Sequence, residues 1–353
     1  MSKKYNFYAG PAILPSEVMQ KAKDELLNYN GIDLSIMEIS HRSKDFDEVI
    51  TGAENKIRKF IGVPNNYSVM FLQGGASLQF GMIPMNLLNN GVSDYINTGA
   101  WAKKAIKEAK LFGKVNIAGT SEDENFNYIP TSLNLSSNAE YVHLTSNETI
   151  GGIQWQELPD TGDVPLIADM SSDIFSRKID VSKYAMIYAG AQKNIGPSGV
   201  TLVIMRNDLI ENGSKDLTTM LQYRTHKDKG SMYNTPPTFG IYIINLVMEW
   251  LESKGGISAM EEENNKKAKL LYTTIDENEM YYGTAKVRDR SKMNVTFRLK
   301  SEELEARFIK EATESGFIGL KGHRSVGGCR ASIYNAMSFD GVKALVNFMN
   351  NFK

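Results

Sequence analysis

Residues 188–199, with the sequence YAGAQKNIGPSG, place Lys193 in a turn of small residues between two apolar runs. Most lysines lie on the solvated surface, and the segment alone leaves that alternative open. The apolar runs on both sides predict partial burial instead. Because burial disfavours the charged form, it lowers the pKa of an amine and leaves the amine available to form a Schiff base. The stretch therefore indicates a reactive lysine just after a strand.

Short apolar runs that end in small or polar residues recur before this stretch and alternate with helical patterns. In an open parallel sheet, the carboxyl ends of the strands lie at one edge and form the ligand site. The alternation thus predicts an α/β fold with a mainly parallel sheet flanked by helices, and a site at that edge. The runs are 67–72, 94–97, 141–144, 165–168 and 185–188.

The last part of the chain, from about residue 292, has a different pattern. Its predicted strands are 293–299, 317–320 and 329–334, and its predicted helices are 302–315 and one that starts at Ser338. We interpret this part as a smaller C-terminal α+β domain. The predicted division is an N-terminal segment, 1–15, that packs with the small domain, a large domain, 16–260, that binds the ligand, and the small domain, 261–353.

Composition and charge narrow the class of protein. The chain has 353 residues, of which 42% are hydrophobic, and this excludes a disordered or fibrous protein. Its 40 basic and 41 acidic side chains give a formal charge of −1, so no sequence-wide positive field exists to bind nucleic acid or an anionic membrane. The single cysteine, Cys329, can form neither an internal disulfide nor a cysteine-rich metal site. We therefore expect a cytoplasmic protein without a metal site, a nucleic-acid partner or a membrane partner.

Other predicted strand ends carry side chains that suit an aromatic, phosphorylated ligand. Asp169 follows a buried run, where a carboxylate needs a cationic partner such as a protonated pyridine nitrogen. The glycine turn at 74–77 opens a helix, so its amides can face a phosphate. Trp101 can stack on an aromatic ring, and Thr149 supplies a hydroxyl at another strand end. Taken singly, each of these residues also fits a helix cap, a core side chain or a plain loop.

Two of the four histidines are followed directly by arginine: His41 precedes Arg42, and His323 precedes Arg324. A third arginine, Arg330, lies in the strand predicted just beyond the second pair. Arginine binds carboxylate and phosphate groups with two hydrogen bonds, and histidine adds a donor. These residues therefore fit a small, doubly anionic substrate, with ordinary surface charge as the alternative.

Taken together and in this order, the segments resemble the phosphoserine aminotransferase family, which belongs to the class V aminotransferases of fold type I. The resemblance covers essentially the whole chain, and the stretches around Lys193, Asn234 and His323 are specific to this family within the class. It implies a pyridoxal 5′-phosphate cofactor and a homodimer with shared active sites. The matching segments are 6–7, 10–12, 14–15, 37–42, 147–150, 188–196, 231–239, 321–324 and 330–336.

The resemblance also implies roles for single residues at the cofactor. Lys193 would form the Schiff base and move the proton, and Asp169 would pair with the pyridine nitrogen. Some members carry arginine where this chain has Ser77, so we expect a contact through the amide there. The remaining cofactor-binding residues would be Ala76 and Ser77 through their amides, Trp101 on the ring, Thr149 near the ring hydroxyl, Gln192, and Asn234 with Thr235 from the second subunit.

For the substrate, the resemblance implies that Arg330 takes the α-carboxylate. His41, Arg42, His323 and Arg324 would form the pocket for the phosphate of phosphoserine or the distal carboxylate of glutamate. The implied reaction is reversible amino transfer between O-phospho-L-serine and 2-oxoglutarate, giving 3-phosphooxypyruvate and L-glutamate, in L-serine biosynthesis. 4-Phosphohydroxy-L-threonine, of pyridoxine biosynthesis, is a further substrate that the resemblance allows.

Two other functions stay open at this point. Cys329 makes a cysteine desulfurase of the same class an alternative, although its place between two glycines and an apolar strand favours a small packed residue. A pyridoxal-phosphate-binding regulator would need an added DNA-binding segment, and the balanced charge argues against one.

Overall fold

The computed structural model describes residues 4–353 and contains a large sheet, a small sheet and two short strand pairs. Within that part of the chain, no helix is both long enough and apolar enough to cross a membrane. The helices are α1 Ser16–Glu25, α2 Lys44–Ile61, α3 Gly75–Leu87, α4 Ala100–Ala109, α5 Asn207–Asn212, α6 Tyr223–Asp228, α7 Thr238–Ser253, α8 Gly256–Glu277, α9 Glu302–Glu314 and α10 Phe339–Asn351. The strands are β1 Tyr5–Asn6, β2 Tyr67–Leu72, β3 Val92–Asn97, β4 Lys114–Thr120, β5 Ala139–Thr145, β6 Asn147–Glu148, β7 Ile153–Gln154, β8 Leu166–Asp169, β9 Met186–Gly190, β10 Thr201–Arg206, β11 Tyr281–Gly283, β12 Asn294–Leu299, β13 Phe317–Ile318 and β14 Cys329–Ser332.

The large sheet has the strand order β2-β10-β9-β8-β5-β3-β4. Strand β10 runs antiparallel to β9 and β2, and the other neighbouring pairs are parallel. Residues 191–200, which connect β9 to β10, are too few for a helical crossover, so β10 turns back beside β9. As a result β2 is parallel to β9, and the carboxyl ends of β2, β3, β5, β8 and β9 share one edge. The predicted α/β fold with a mainly parallel sheet is confirmed.

The sheet has a hydrophobic core on each face. Successive side chains on a strand point to opposite faces, and β10 shows this directly. Leu202 and Ile204 belong to the cluster that includes α2 and α7, whereas Val203 and Met205 belong to the cluster that includes α3 and α4. Burial on both faces explains why the strands are read from the sequence as continuous apolar runs.

The C-terminal part forms an antiparallel sheet, β11-β12-β14, whose core also contains side chains of α8, α9 and α10. Near the other end of the chain, β1 pairs in parallel with β13, and Phe7 is buried in the same core. The predicted division into 1–15, 16–260 and 261–353 stays a prediction. Residues 1–3 of its first segment lie outside the described residues, and α8 spans the boundary placed at residue 260.

Candidate active site

Except for Asn234 and Thr235, the predicted cofactor-binding residues follow the strand ends at the shared edge of the large sheet. A parallel sheet presents its ligand site there, in the crevice beyond the carboxyl ends of the strands. Asp169 is the last residue of β8, and Lys193 follows the end of β9 by three residues. The others are Ala76 and Ser77 in the first turn of α3 after β2, Trp101 in the first turn of α4 after β3, and Thr149 after β5 and β6.

The amine of Lys193 donates a hydrogen bond to a hydroxyl and lies over the face of an aromatic ring. Its Nζ donates a hydrogen bond of 2.6 Å to Oγ1 of Thr149, and it lies 5.0 Å from the ring centroid of Trp101. Burial lowers the pKa of Lys193 to about 8, although the nearby carboxylates of Asp169 and Glu148 act in the opposite direction. A substantial fraction of this amine is therefore neutral near physiological pH, as a nucleophile or proton acceptor requires.

Asp169 is a buried carboxylate whose charge bears on Lys193. Its Oδ1 accepts a 2.9 Å hydrogen bond from the backbone N–H of Ser171. Burial raises the pKa of Asp169, whereas the charge of Lys193 and the hydrogen bonds from Ser171 lower it. A cation placed against this carboxylate would hold it in the ionised form.

The turn before α3 presents backbone amides rather than side chains. Gly74 and Gly75 have φ values of +88° and +66°, a conformation that a side chain would strain, and Gly74 offers no side-chain cap to the helix. The first amides of α3, including those of Ala76 and Ser77, have no partner one turn earlier in the helix, which makes this end a site for an anion. The side chain of Ser77 is exposed.

Gln192 lies against the end of β9, next to the lysine. A Cβ built on Gly190 would lie 2.7 Å from Oε1 of Gln192, so this side chain folds over the glycine. The absence of a side chain at residue 190 thus lets Gln192 lie close to the strand end.

Arg330 places a positive charge beside the lysine, and His323 lies next to it. Nη1 of Arg330 donates a 3.2 Å hydrogen bond to the carbonyl of Thr149, and Nε of Arg330 is buried with no partner among residues 4–353. Burial lowers the pKa of His323, and the positive charges of Arg330, Arg324 and Lys104 lower it further. A cavity of about 510 Å³ is lined by both His323 and Arg330. Positive charge without a counterion favours an anionic ligand here.

His41 and Arg42 lie elsewhere, in an open cleft that Lys229 and Met232 also line. Asn234 and Thr235, shortly after Met232, are exposed, and the carbonyl of Thr235 accepts a 3.4 Å hydrogen bond from Gln73. The structure therefore brings Lys193, Asp169, Trp101 and Thr149 together, with Arg330 and His323 beside them. The first His-Arg pair lines a different cleft, and the Asn234–Thr235 segment contacts Gln73 rather than a member of this group.

Sequence reasoning assigned no role to Glu148, which lies inside the group. Its Oε1 accepts a 3.2 Å hydrogen bond from the backbone N–H of Ala102 in α4. Burial raises the pKa of Glu148 to about 7, and the charge of Asp169 also acts in that direction. A signal was available, because Glu148 directly precedes Thr149 in a segment that was already expected at the site.

Tyr334 was also missed as a residue beside the site. Its hydroxyl donates a 2.7 Å hydrogen bond to the carbonyl of Ala9 and accepts one of 3.1 Å from Nδ2 of Asn294. A tyrosine in an apolar run reads as core from the sequence, so its hydrogen bond to the N-terminal segment has no signature there. This bond joins the N-terminal segment to the loop after β14, the strand that carries Arg330.

Cys329 is unsuited to the chemistry of a persulfide-forming cysteine. It is buried in β14, opposite Phe297 in β12, and burial raises the pKa of its thiol well above the usual range. A desulfurase needs an accessible thiolate that attacks the sulfur of the substrate cysteine and keeps it as a persulfide while the substrate C–S bond breaks. The geometry argues against the desulfurase alternative.

The residues present fit the predicted pyridoxal phosphate. They supply an amine whose pKa is lowered by burial in Lys193, a buried carboxylate in Asp169 and an aromatic face in Trp101. They also supply the amides at the start of α3, which suit a phosphate. Each chemical part of the cofactor therefore has a complementary group at the same edge of the sheet.

The model of the family "Aminotransferase class-V" matches residues 4–345. Over 357 aligned residues, the chain is 56% identical to a phosphoserine aminotransferase of Desulfosudis oleivorans, with 100% of this chain and 99% of the relative covered. Its fold matches a solved phosphoserine aminotransferase from Bacillus circulans subsp. alkalophilus with a TM-score of 0.98 and 51% identity, covering 99% of this chain and 98% of that one. A PLP-bound phosphoserine aminotransferase from Trichomonas vaginalis matches with a TM-score of 0.94 and 39% identity, covering 99% and 100%. The chain belongs to the class V aminotransferases and, within them, to the phosphoserine aminotransferase family.

Proposed function

We propose that this chain catalyses reversible amino transfer between O-phospho-L-serine and 2-oxoglutarate, giving 3-phosphooxypyruvate and L-glutamate, in L-serine biosynthesis. The observation that carries the proposal is the position of the Lys193 amine. The amine donates a hydrogen bond to the Thr149 hydroxyl and lies near Asp169, Trp101 and the positive charge of Arg330. The cytoplasm is the proposed location. 4-Phosphohydroxy-L-threonine stays a prediction as a further substrate.

The cofactor is pyridoxal 5′-phosphate, held by covalent and non-covalent contacts with this chain. When bound, it supplies the aldehyde that carries the amino group and an electron-withdrawing ring that makes the Cα proton of the substrate acidic. In the proposal, Lys193 holds the aldehyde carbon, Trp101 covers one face of the ring, and the amides of Ala76 and Ser77 bind the phosphate. Gln192 adds a side-chain contact next to Lys193.

Lys193 also acts as the proton carrier in the proposal. Once the amino substrate has displaced it, the neutral amine would accept the proton from the substrate Cα. It would then return this proton to C4′, the carbon that carried the aldehyde. The hydrogen bond to Thr149 keeps Nζ at the site during this step. A pKa of about 8 suits both directions, because the amine can gain and lose a proton near neutral pH.

Asp169 has an electrostatic role in the proposal. Its buried carboxylate holds the proton on the ring nitrogen, and the low surrounding polarity strengthens this interaction. Ser171 donates to Oδ1 and so fixes the orientation of the carboxylate. The carboxylate is thus in place before the substrate arrives, and it needs no rearrangement during the reaction.

The substrate's anionic groups are bound by the cationic side chains. Arg330 takes the α-carboxylate in the proposal, and its position is supported by the bond from Nη1 to Thr149 and by the free Nε. His323 and Arg324 bind the phosphate of phosphoserine or the distal carboxylate of glutamate. His41 and Arg42 complete this pocket.

We propose a homodimer in which each active site uses residues of both chains. The proposal is supported by the separation of the two groups, because His41 and Arg42 line a cleft with Met232, away from His323 and Arg330. Asn234 and Thr235 are exposed polar residues, and the carbonyl of Thr235 accepts a hydrogen bond from Gln73. In the dimer, they would reach the phosphate in the second subunit's site.

The test is a coupled assay that follows glutamate formation from phosphoserine and 2-oxoglutarate, with serine as the competing donor. A pocket of cationic donors that loses its dianionic partner keeps unpaired charges, so kcat/KM for serine should be lower on the order of 10⁴-fold. Equal use of serine and phosphoserine would remove the substrate assignment but leave the aminotransferase class. Release of sulfide from cysteine, measured in parallel, would favour the desulfurase instead.

A further inference from the structure

Glu148 caps a helix to which it is not connected in sequence. Helix α4 begins after Gly99, which has no side chain to accept a hydrogen bond from the first turn. Oε1 of Glu148 takes that place from strand β6 by accepting the N–H of Ala102 at 3.2 Å. A carboxylate at a helix N-terminus is stabilised by the free amides and by the helix dipole.

Gly99 provides the space for this carboxylate. A Cβ built on Gly99 would lie 2.6 Å from the carboxylate carbon of Glu148 and under 3.0 Å from both of its oxygens. Any other residue at position 99 would displace the Glu148 side chain from the start of α4. The glycine and the glutamate therefore form one capping arrangement.

The turn that Glu148 caps contains Trp101. The indole Nε1 of Trp101 is buried and has no hydrogen-bond partner among residues 4–353, so no polar contact of its own fixes the ring. Its neighbours are Lys104 and Lys193, whose Nζ atoms lie 4.2 and 5.0 Å from the ring centroid. Without a hydrogen bond of its own, the ring is held by the backbone of the first turn of α4 and by packing on the adjoining core.

Glu148 is also adjacent in sequence to the residue that directs Lys193. Thr149 accepts the hydrogen bond from Nζ of Lys193, so one of two successive side chains contacts the first turn of α4, which carries Trp101, and the next contacts Lys193. The β6–β7 pair, in which Glu148 lies opposite Ile153, fixes the backbone of this segment. A shift of Glu148 would move Thr149 as well.

We propose that Glu148 is a positioning residue, which holds the first turn of α4 so that Trp101 covers the cofactor ring. This inference rests on the ring-stacking role proposed for Trp101. The second carboxylate oxygen, Oε2, is buried without a hydrogen-bond partner in the described chain. The hydrogen bond to α4 is therefore made by Oε1. An amide at position 148 retains that acceptor.

The experiment measures the dissociation constant of pyridoxal phosphate and the circular dichroism of the bound cofactor in full-length variants. Glu148→Ala removes the cap and should weaken cofactor binding on the order of tenfold and reduce the dichroic band. Glu148→Gln retains the acceptor, and its affinity and dichroic band should stay within about threefold of the unchanged protein. The control is Asp94→Asn, because Asp94 is a buried carboxylate whose partners, Ser136 and Asn116, lie outside the site. This variant should affect the unfolding temperature and leave cofactor affinity unchanged.

A double variant tests the positioning role of Glu148 separately from the ring-stacking role proposed for Trp101. If Glu148 acts through Trp101, Trp101→Ala combined with Glu148→Ala should bind the cofactor no more weakly than Trp101→Ala alone. Independent, multiplied losses would overturn the inference, and so would normal binding and a normal dichroic band in Glu148→Ala. Normal binding in Trp101→Ala would instead remove the proposed ring-stacking role.

Discussion

The cofactor side of the site and the anion pocket differ in how much of each a single chain supplies. Lys193, Thr149 and Asp169 are brought together by the strand ends of one sheet, and a 2.6 Å hydrogen bond joins the first two. His41 and Arg42 lie in a cleft of their own, apart from the cavity of His323. The reactive groups are thus fixed by the fold of one chain, whereas the anion pocket and the phosphate contacts of Asn234 and Thr235, as proposed, are completed by assembly.

The largest effect is expected on the cofactor side, at Lys193. In Lys193→Ala, kcat should fall by at least about 10⁴-fold, because both the covalent attachment and the proton carrier are lost. The visible absorption of bound cofactor should disappear with it. Steady-state assays and absorption spectra of the purified variant measure the two effects.

The matched control for this change is Lys107→Ala, which removes an exposed lysine from α4. It should retain the activity and the spectrum of the unchanged protein. Near-normal turnover in Lys193→Ala would contradict the role of Lys193 and, with it, the idea that the reactive side is complete in one chain.

Asp169→Asn should have the next largest effect, a loss in kcat on the order of 10³-fold. The amide keeps the shape of the side chain and removes the charge that would hold the ring proton, so the cofactor should still bind. Comparing kcat with the cofactor dissociation constant separates the two. If the variant loses cofactor in proportion to its activity, Asp169 would have a binding role only.

In the anion pocket, Arg42→Ala or Arg324→Ala should lower kcat/KM for phosphoserine on the order of 10²-fold, because each removes a charge-assisted hydrogen bond. The absorption spectrum of bound cofactor should not change, in contrast to Lys193→Ala. Arg307→Ala, at an exposed position of α9, serves as the control. Unchanged kcat/KM in both arginine variants would exclude these residues from the phosphate pocket.

Much of the fold could be predicted because its strands are buried on both faces. The run 67–72 predicted β2 at its observed bounds, and helix α9 begins at the predicted Glu302. The apolar run after Gly199, which forms β10, carried no information about strand direction, since parallel and antiparallel strands that are buried on both faces have the same composition. Its antiparallel direction follows from the short connection 191–200, a constraint of length rather than of residue type.

The site residues could be predicted where they come directly after a strand in the sequence. Lys193 and Asp169 each follow a readable strand, so their placement needed only the rule for parallel sheets. Glu148 was not assigned because its partner, Ala102, lies 46 residues earlier and contributes a backbone N–H. A hydrogen bond to the main chain leaves no pattern of residue types, and the sequence therefore cannot show it.

The pKa of Lys193 predicts how cofactor capture depends on pH. Only the neutral amine can attack the aldehyde, and burial lowers the pKa to about 8, so the capture rate should rise with pH up to about 8 and then level off. Between pH 7 and pH 9 the increase should be about tenfold. The measurement is the recovery of visible absorption after pyridoxal phosphate is added to cofactor-free protein.

Two controls accompany this measurement. Free Nα-acetyl-lysine has an ordinary pKa, so its reaction should keep rising beyond pH 9. Asp169→Asn removes a negative charge that raises the pKa of Lys193, and its rate should level off at a lower pH. A rate in the unchanged protein that still rises steeply above pH 9 would show that Lys193 is not poised by burial.

The smallest effect, and the most direct test of the comparison, is recovery of activity in mixed dimers. Lys193→Ala lacks the reactive side, and a variant with alanine at both Asn234 and Thr235 lacks the contribution proposed to reach the second subunit. Each variant alone should be nearly inactive. In a hybrid dimer, one of the two sites has an intact Lys193 from one chain and intact Asn234 and Thr235 from the other. Random exchange makes about half of the dimers hybrids, so the mixture should recover up to about a quarter of the activity of the unchanged protein. Exchange is verified independently with two affinity tags, and no recovery after verified exchange would mean that each chain completes its own site.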